Sequence, residues 1–104
     1  MDIDSRNAAI VIIGQCLLGV INRNFKRISV YLSEEEWNLK FDLERDNIGD
    51  LEIIEDAMGE LDGLALDLKS PPSKIKYSID ITGSNLLKKQ NDDWIVIFLM
   101  RQDV

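Results

Sequence analysis

Residues 28–44, ISVYLSEEEWNLKFDLE, decide the fold because their hydrophobicity alternates at every second position. The alternation is interrupted only by the polar run at 33–36. A period of two is typical of strands with one buried and one solvated face, since successive side chains point to opposite sides of a sheet. We therefore expect a β-hairpin with solvated carboxylates at Asp42 and Glu44. Its inward face carries Ile28, Val30, Leu32, Trp37, Leu39, Phe41 and Leu43.

A helix is predicted downstream of this hairpin, with Asp46 or Asn47 as its N-cap and an end near Leu66. Its apolar residues recur at helical spacing, which gives it one core-facing stripe. Prolines at 71 and 72 prevent the helix from continuing, because proline lacks the amide donor and clashes with the preceding turn. The stripe consists of Leu51, Ile54, Met58, Leu61 and Ala65.

An apolar run at 8–21, AAIVIIGQCLLGVI, precedes the hairpin. The run is shorter than the roughly 20 residues of a membrane span, and its leader MDIDSR is too acidic for a signal peptide. We expect a buried helix, capped by Asp4 or Ser5 and enclosed by the sheet and the second helix. Cys16, the single cysteine, lies in its stripe as a core residue, which fits a reducing cytoplasm.

The C-terminal part of the chain predicts two more strands around a polar loop at 82–93. Residues 75–81 alternate, whereas the strand from Trp94 to Met100 is apolar at every position, which is typical of a central strand. We expect the loop or a second subunit to cover its outer face, and both tryptophans, at 37 and 94, to face the core. The order αββαββ predicts a single domain over 1–104, an α+β two-layer fold with an antiparallel four-stranded sheet and two helices on one face.

The composition excludes several classes of function. Nineteen acids against twelve Lys and Arg give a net charge of −7, which argues against nucleic acid or an anionic membrane as partner. The absence of histidine removes the usual general base and the commonest zinc ligand. No pattern of residues predicts a catalytic site, a metal site or a cofactor, so the sequence indicates a binding protein and not an enzyme.

The negative charge is concentrated in the second predicted helix and the residues before it. Between 47 and 68 there are seven acids and no Lys or Arg, and residues 34–67 carry a net −11 while the rest of the chain carries +4. Like charges at i, i+4 and mid-helix glycines such as Gly59 and Gly63 both destabilise a helix. We therefore predict a partner-binding acidic surface formed by Glu44, Asp46, Glu52, Glu55, Asp56, Glu60 and Asp62.

Two phrases resemble a known group of proteins: LLGVINRNFKRISVYL at 17–32 and LERDNIGDLEIIEDAMGEL at 43–61. With the acidic αββαββ pattern, they make the chain similar to small bacterial immunity proteins of contact-dependent growth inhibition and related polymorphic-toxin systems. The resemblance implies a cytoplasmic protein that binds and neutralises the C-terminal domain of a secreted toxin, often a basic nuclease. It assigns no contact residues, so the acidic surface is predicted from charge alone.

The sequence leaves one alternative open. In this alternative, the chain is a homo-oligomeric structural or adaptor module, and its acidity serves only solubility. Self-association would use the apolar strand from Trp94 to Met100 or the first helix, as a homodimer.

Overall fold

The chain folds in the order helix, two strands, helix, two strands in a computed structural model that describes residues 1–100. The α+β class predicted from the sequence is confirmed. The elements are α1 (Ile3–Leu17), β1 (Phe25–Leu32), β2 (Glu36–Leu43), α2 (Ile48–Ala65), β3 (Lys74–Ile81) and β4 (Ile95–Leu99).

Side-chain caps determine where the two helices begin. The Asp2 carboxylate accepts a hydrogen bond from the Ser5 amide at 2.7 Å, which lowers the pKa of Asp2, so α1 starts before the expected caps at Asp4 and Ser5. Helix α1 ends at Leu17, before the end of the apolar run at 8–21, and Gly19 follows it with a φ of 81° that favours glycine. Asn47 caps α2, as predicted, by accepting from an amide in the first turn.

One hydrophobic core joins both helices to the two central strands. Trp37, Phe41 and Ile54 are almost completely buried in it, as the alternation and the helical spacing predicted. Helix α1 is not enclosed on all sides, however, because Val11, in the middle of the helix, remains exposed. The expectation that α1 is buried around its circumference is therefore wrong.

The sheet has the strand order β3-β2-β1-β4 and is mixed. Strand β1 is antiparallel to β2 and to β4, whereas β2 and β3 are parallel. The prediction of an antiparallel sheet with a second hairpin is wrong. Helix α2 returns the chain to the starting end of β2, and a strand that follows such a crossover runs parallel to the first.

Strand β4 lies at an edge of the sheet, so its predicted central position is wrong. Its register against β1 contains a bulge, where Ile28 faces Phe98 and Ser29 faces Val96. Ile97 is the extra residue, and both Ile97 and Phe98 pack against the core. The outer face of β4 is not covered, because Val96 and Leu99 are 46% and 60% exposed.

The chain crosses the outer face of the sheet between β3 and β4. These strands are parallel and lie at opposite edges, so residues 82–94, which we call the crossover segment, must span β2 and β1. Side chains of β1 hold it in place. Lys26 Nζ donates to the Gly83 and Asn85 carbonyls, Arg27 Nη1 to the Lys88 carbonyl and Ser29 Oγ to Gln90 Oε1, at 2.6–3.1 Å.

Under this segment, Arg27 and Asp42 form a buried ion pair with 3.0 Å between Nε and Oδ2. The side chains are 8% and 3% exposed. The expectation that Asp42 is solvated is therefore wrong, because the crossover segment excludes water from this part of the outer face. A buried pair of this kind is costly to break, since removing one partner leaves the other charge desolvated.

We predict that Asp42→Ala lowers the free energy of unfolding by about 3–5 kcal/mol, because Arg27 then stays buried without its counter-ion. Asp80→Ala is the matched control. It removes the carboxylate of the more exposed Lys40–Asp80 pair and should cost about 1 kcal/mol or less. Urea denaturation of both variants measures the difference, and equal losses would show that the crossover segment does not desolvate the Arg27 pair.

Candidate functional site

The acidic residues singled out by the sequence lie on and beside the exposed side of α2. Glu52, Glu55, Asp56, Glu60 and Asp62 are all exposed, while the opposite side of the helix buries its apolar stripe. Two further members precede the helix: Asp46 is exposed and Glu44 is half-buried. We call this set of seven residues the acidic face.

No cation within residues 1–100 forms an ion pair with the acidic face. The ion pairs of this part of the chain join Arg27 to Asp42, Lys40 to Asp80, Lys76 to Glu36 and the N-terminal amine to Glu34. Three of the four lie between strands of the sheet. Among the described residues, no cation therefore neutralises the acidic face, and an unneutralised negative surface attracts cations.

The placement of these carboxylates does not favour the folded helix. Glu52, Asp56 and Glu60 form a row at i+4 spacing, where like charges repel. Asp62 lies in the last turn of α2, where the helix dipole favours cations, and no basic residue is present there. Asp46, before the first turn, is the member whose position the dipole favours. The distribution of charge is therefore not explained by helix stability.

Two glycines, Gly59 and Gly63, lie exposed between the acids of α2. A Cβ atom at either position would meet no atom within 4 Å, so packing does not require glycine there. Each glycine destabilises a helix by about 1 kcal/mol relative to alanine. What they provide is an uncovered helix backbone next to the carboxylates, which a partner can approach closely.

Asp50 belongs to the same acidic run but has a structural role. It is buried and accepts hydrogen bonds from Asn22 Nδ2 at 2.7 Å and from Asn24 Nδ2 at 2.9 Å. These contacts tie the first turn of α2 to the turn between α1 and β1. No local pattern predicts these contacts, because Asn22 and Asn24 lie 28 and 26 residues before Asp50.

A cleft of about 320 Å³ opens between the crossover segment and strands β2 and β3. Arg27, Lys40, Asp42, Asp80 and Lys88 contribute charge to its lining. Both carboxylates face a cation of the chain itself, so they are engaged in ion pairs. Sequence reasoning missed this cleft because its residues meet only in the observed strand order.

Over residues 1–100, no three or more Cys, Asp or Glu side chains cluster in a way that could hold a metal ion. Neither described helix combines the length and the apolar character needed to cross a bilayer. Cys16 is buried, as predicted for a core residue. Burial raises the pKa of its thiol, and the charge of Glu60 raises it further.

The two tryptophans lie on different faces of the sheet. Trp37 is buried in the core, as predicted. Trp94 packs against Tyr31 on the outer face, with ring centroids 5.8 Å apart and the ring planes tilted by 49°, so the prediction that it faces the core is wrong. It directly precedes Ile95, whose side chain packs on the core, and alternation along the chain turns Trp94 outward.

A scan against models of protein families found none that matches the chain, and a search of curated proteins found no match.

We predict that Gly59→Ala raises the free energy of unfolding by about 1 kcal/mol, because alanine favours the helix and its methyl group has open space. Gly19→Ala is the control. The same methyl group at a φ of 81° should destabilise the protein by about 1 kcal/mol. Thermal and urea denaturation measure both, and a loss of stability in Gly59→Ala would show that this glycine has a role in folding.

We also predict that the native Cys16 thiol does not react with a colorimetric thiol reagent at neutral pH. Burial limits access and the raised pKa keeps the thiol protonated, whereas the thiolate is the nucleophile. The same protein unfolded in guanidinium chloride should react at once. Rapid labelling of the folded protein would contradict the core assignment.

Proposed function

We propose that this chain is an immunity protein that binds a basic toxin domain through the acidic face and neutralises it. The observation that carries the proposal is that the acidic face has no ion pair with any cation of residues 1–100. The resemblance of 17–32 and 43–61 to immunity proteins supports the same reading. Such a protein acts in the cytoplasm of the cell that makes the toxin.

The size and shape of the acidic face fit a protein partner. Its helical part runs from Glu52 to Asp62, which is about 15 Å at the rise of an α-helix. Spaced charges along a rigid convex element suit a broad cationic surface more than a small ligand, which needs a concave site. A nuclease has such a surface because it must bind the phosphates of nucleic acid.

Electrostatics would act mainly on the rate and selectivity of binding. An unneutralised negative face attracts a cationic protein over the Debye length and orients it before contact, which raises the association rate. The exposed backbone at Gly59 and Gly63 then allows the partner to come close to the helix. Inhibition follows because the partner's cations are covered and cannot hold its substrate.

The test uses the variant Glu55→Lys with Asp56→Lys, which reverses two adjacent exposed charges. The probe is the C-terminal domain of the large secreted protein expected to be encoded immediately upstream. We expect the dissociation constant, measured by isothermal titration calorimetry, to rise about 100-fold, which corresponds to about 2.7 kcal/mol. Binding by the unmodified chain should weaken as salt is added.

The matched control is Asp92→Lys with Asp93→Lys, another adjacent and exposed pair that changes the net charge by the same amount. Its affinity should stay close to that of the unmodified chain. Equal effects of the two variants would mean that only net charge matters, and an unchanged affinity in the first would exclude the acidic face as the contact. An upstream gene of any other kind would argue against an immunity protein.

A further inference from the structure

We propose that β4 pairs with β4 of a second copy, so that the sheets of two molecules join edge to edge in an antiparallel dimer. Among the described strands, β4 pairs with β1 alone, and its other side is the open edge of the sheet. The backbone amides and carbonyls along that edge are a template for an extended strand. The occupant is therefore a β-strand.

The two edges of the sheet differ in a way that singles out β4. Strand β3, at the opposite edge, carries Lys74, Lys76 and Asp80, and charges on an edge strand discourage pairing with another chain. Strand β4, IVIFL, has neither a charge nor a proline. The edge at β4 thus lacks the charges that protect the edge at β3, and it is the more hydrophobic of the two.

The bulge in β4 makes the strand complementary to itself. Val96 and Leu99 lie on the outer face, whereas Ile97 and Phe98 both pack on the core side. A twofold axis between Ile97 and Phe98 sets Val96 opposite Leu99 of the second copy, and Ile97 opposite its Phe98. Side chains that face each other then lie on the same side of the joined sheet, as antiparallel pairing requires.

The lack of charge on β4 distinguishes the occupant of this edge from the partner of the acidic face. The partner of the acidic face must be cationic, whereas β4 offers only apolar side chains and backbone groups. The β4 strand of a second copy supplies apolar side chains and backbone hydrogen-bonding groups in the register described above. The dimer would leave the acidic face free, because α2 contributes no part of this edge.

Helix α1, the other candidate for self-association, is less suited. Its exposed apolar residues Ile3 and Val11 are roughly 12 Å apart along the helix, with Asn7 between them, and the exposed Leu18 lies beyond its last residue. They are separate exposed side chains and do not form a continuous patch. The helix backbone also has no free row of hydrogen-bonding groups to offer.

The experiment is sedimentation velocity on the full chain across a wide range of protein concentration, at low and at high sodium chloride. We expect a monomer–dimer equilibrium that shifts toward the dimer as salt is added, because each copy carries a net −7 and screening reduces their repulsion. This dependence is opposite to that expected for the toxin complex, so the two proposals can fail separately. A monomer at every concentration would overturn the dimer.

Leu99→Lys tests the strand directly, because it places a charge on the exposed outer face of the pairing edge. The dimer dissociation constant should rise about 100-fold, since the twofold axis brings in the charge twice. Val11→Lys is the matched control on α1 and should leave the dimer dissociation constant unchanged. Circular dichroism checks that both variants fold. If Leu99→Lys does not fold, Val96→Lys takes its place in the test. Dissociation by Val11→Lys, with the β4 variants still dimeric, would overturn the assignment to β4.

The register has its own test. In the double variant Val96→Cys with Leu99→Cys, oxidation should give a disulfide-linked dimer, because each cysteine faces the other position of the second copy. A bond within one chain is excluded, since residues three apart on a strand are farther apart than a disulfide allows. Either single variant should remain unlinked, as should the buried Cys16. Linkage in the single variants, or none in the double variant, would overturn the register.

Discussion

The fold depends on the hydrogen bonds that anchor the crossover segment to β1. Strands β3 and β4 run parallel at opposite edges, so the chain must pass across β2 and β1 on the way. Donors from Lys26, Arg27 and Ser29 hold that passage against the outer face. Strand β1 is consequently buried on both sides, although its outer residues are polar, and the buried Arg27 in turn requires Asp42.

This arrangement also explains how the charge of the molecule is distributed. Three cations of the sheet are engaged with carboxylates of the sheet, in the pairs Arg27–Asp42, Lys40–Asp80 and Lys76–Glu36. The carboxylates of α2 have no comparable neighbours among the described residues. The outer face of the sheet is thus close to internally neutralised, while α2 directs its charge at solvent. For the carboxylates of α2, a cationic partner would not have to compete with cations of the described residues.

The sequence predicts local features well and the arrangement of distant ones poorly. Alternation identified the pairing of β1 with β2, and the helical stripe with its Asn47 cap identified α2, because both patterns arise within a few turns or strand residues. The parallel pairing of β2 with β3 leaves no local sign. Strand β4 was misplaced because its exposed residues, Val96 and Leu99, are as apolar as the residues that pack on the core, so no alternation marks it as an edge strand.

The same division holds for the candidate site. The density of acids on α2 is visible in the sequence. Whether these carboxylates form ion pairs depends instead on where the cations lie in the fold, and among the described residues none lies close enough. Asp42 and Asp50 look like their acidic neighbours in the sequence, yet both are buried, with partners 15 to 28 residues away.

The anchoring of the crossover segment has a consequence for how this protein can vary. Lys26 and Arg27 donate to main-chain carbonyls of Gly83, Asn85 and Lys88, and every amino acid supplies that oxygen. Substitutions along the crossover segment therefore leave three of its four hydrogen bonds to β1 in place, except at Gly83, whose φ of 61° favours glycine. The sequence of the crossover segment can therefore change during evolution while the sheet beneath it stays the same.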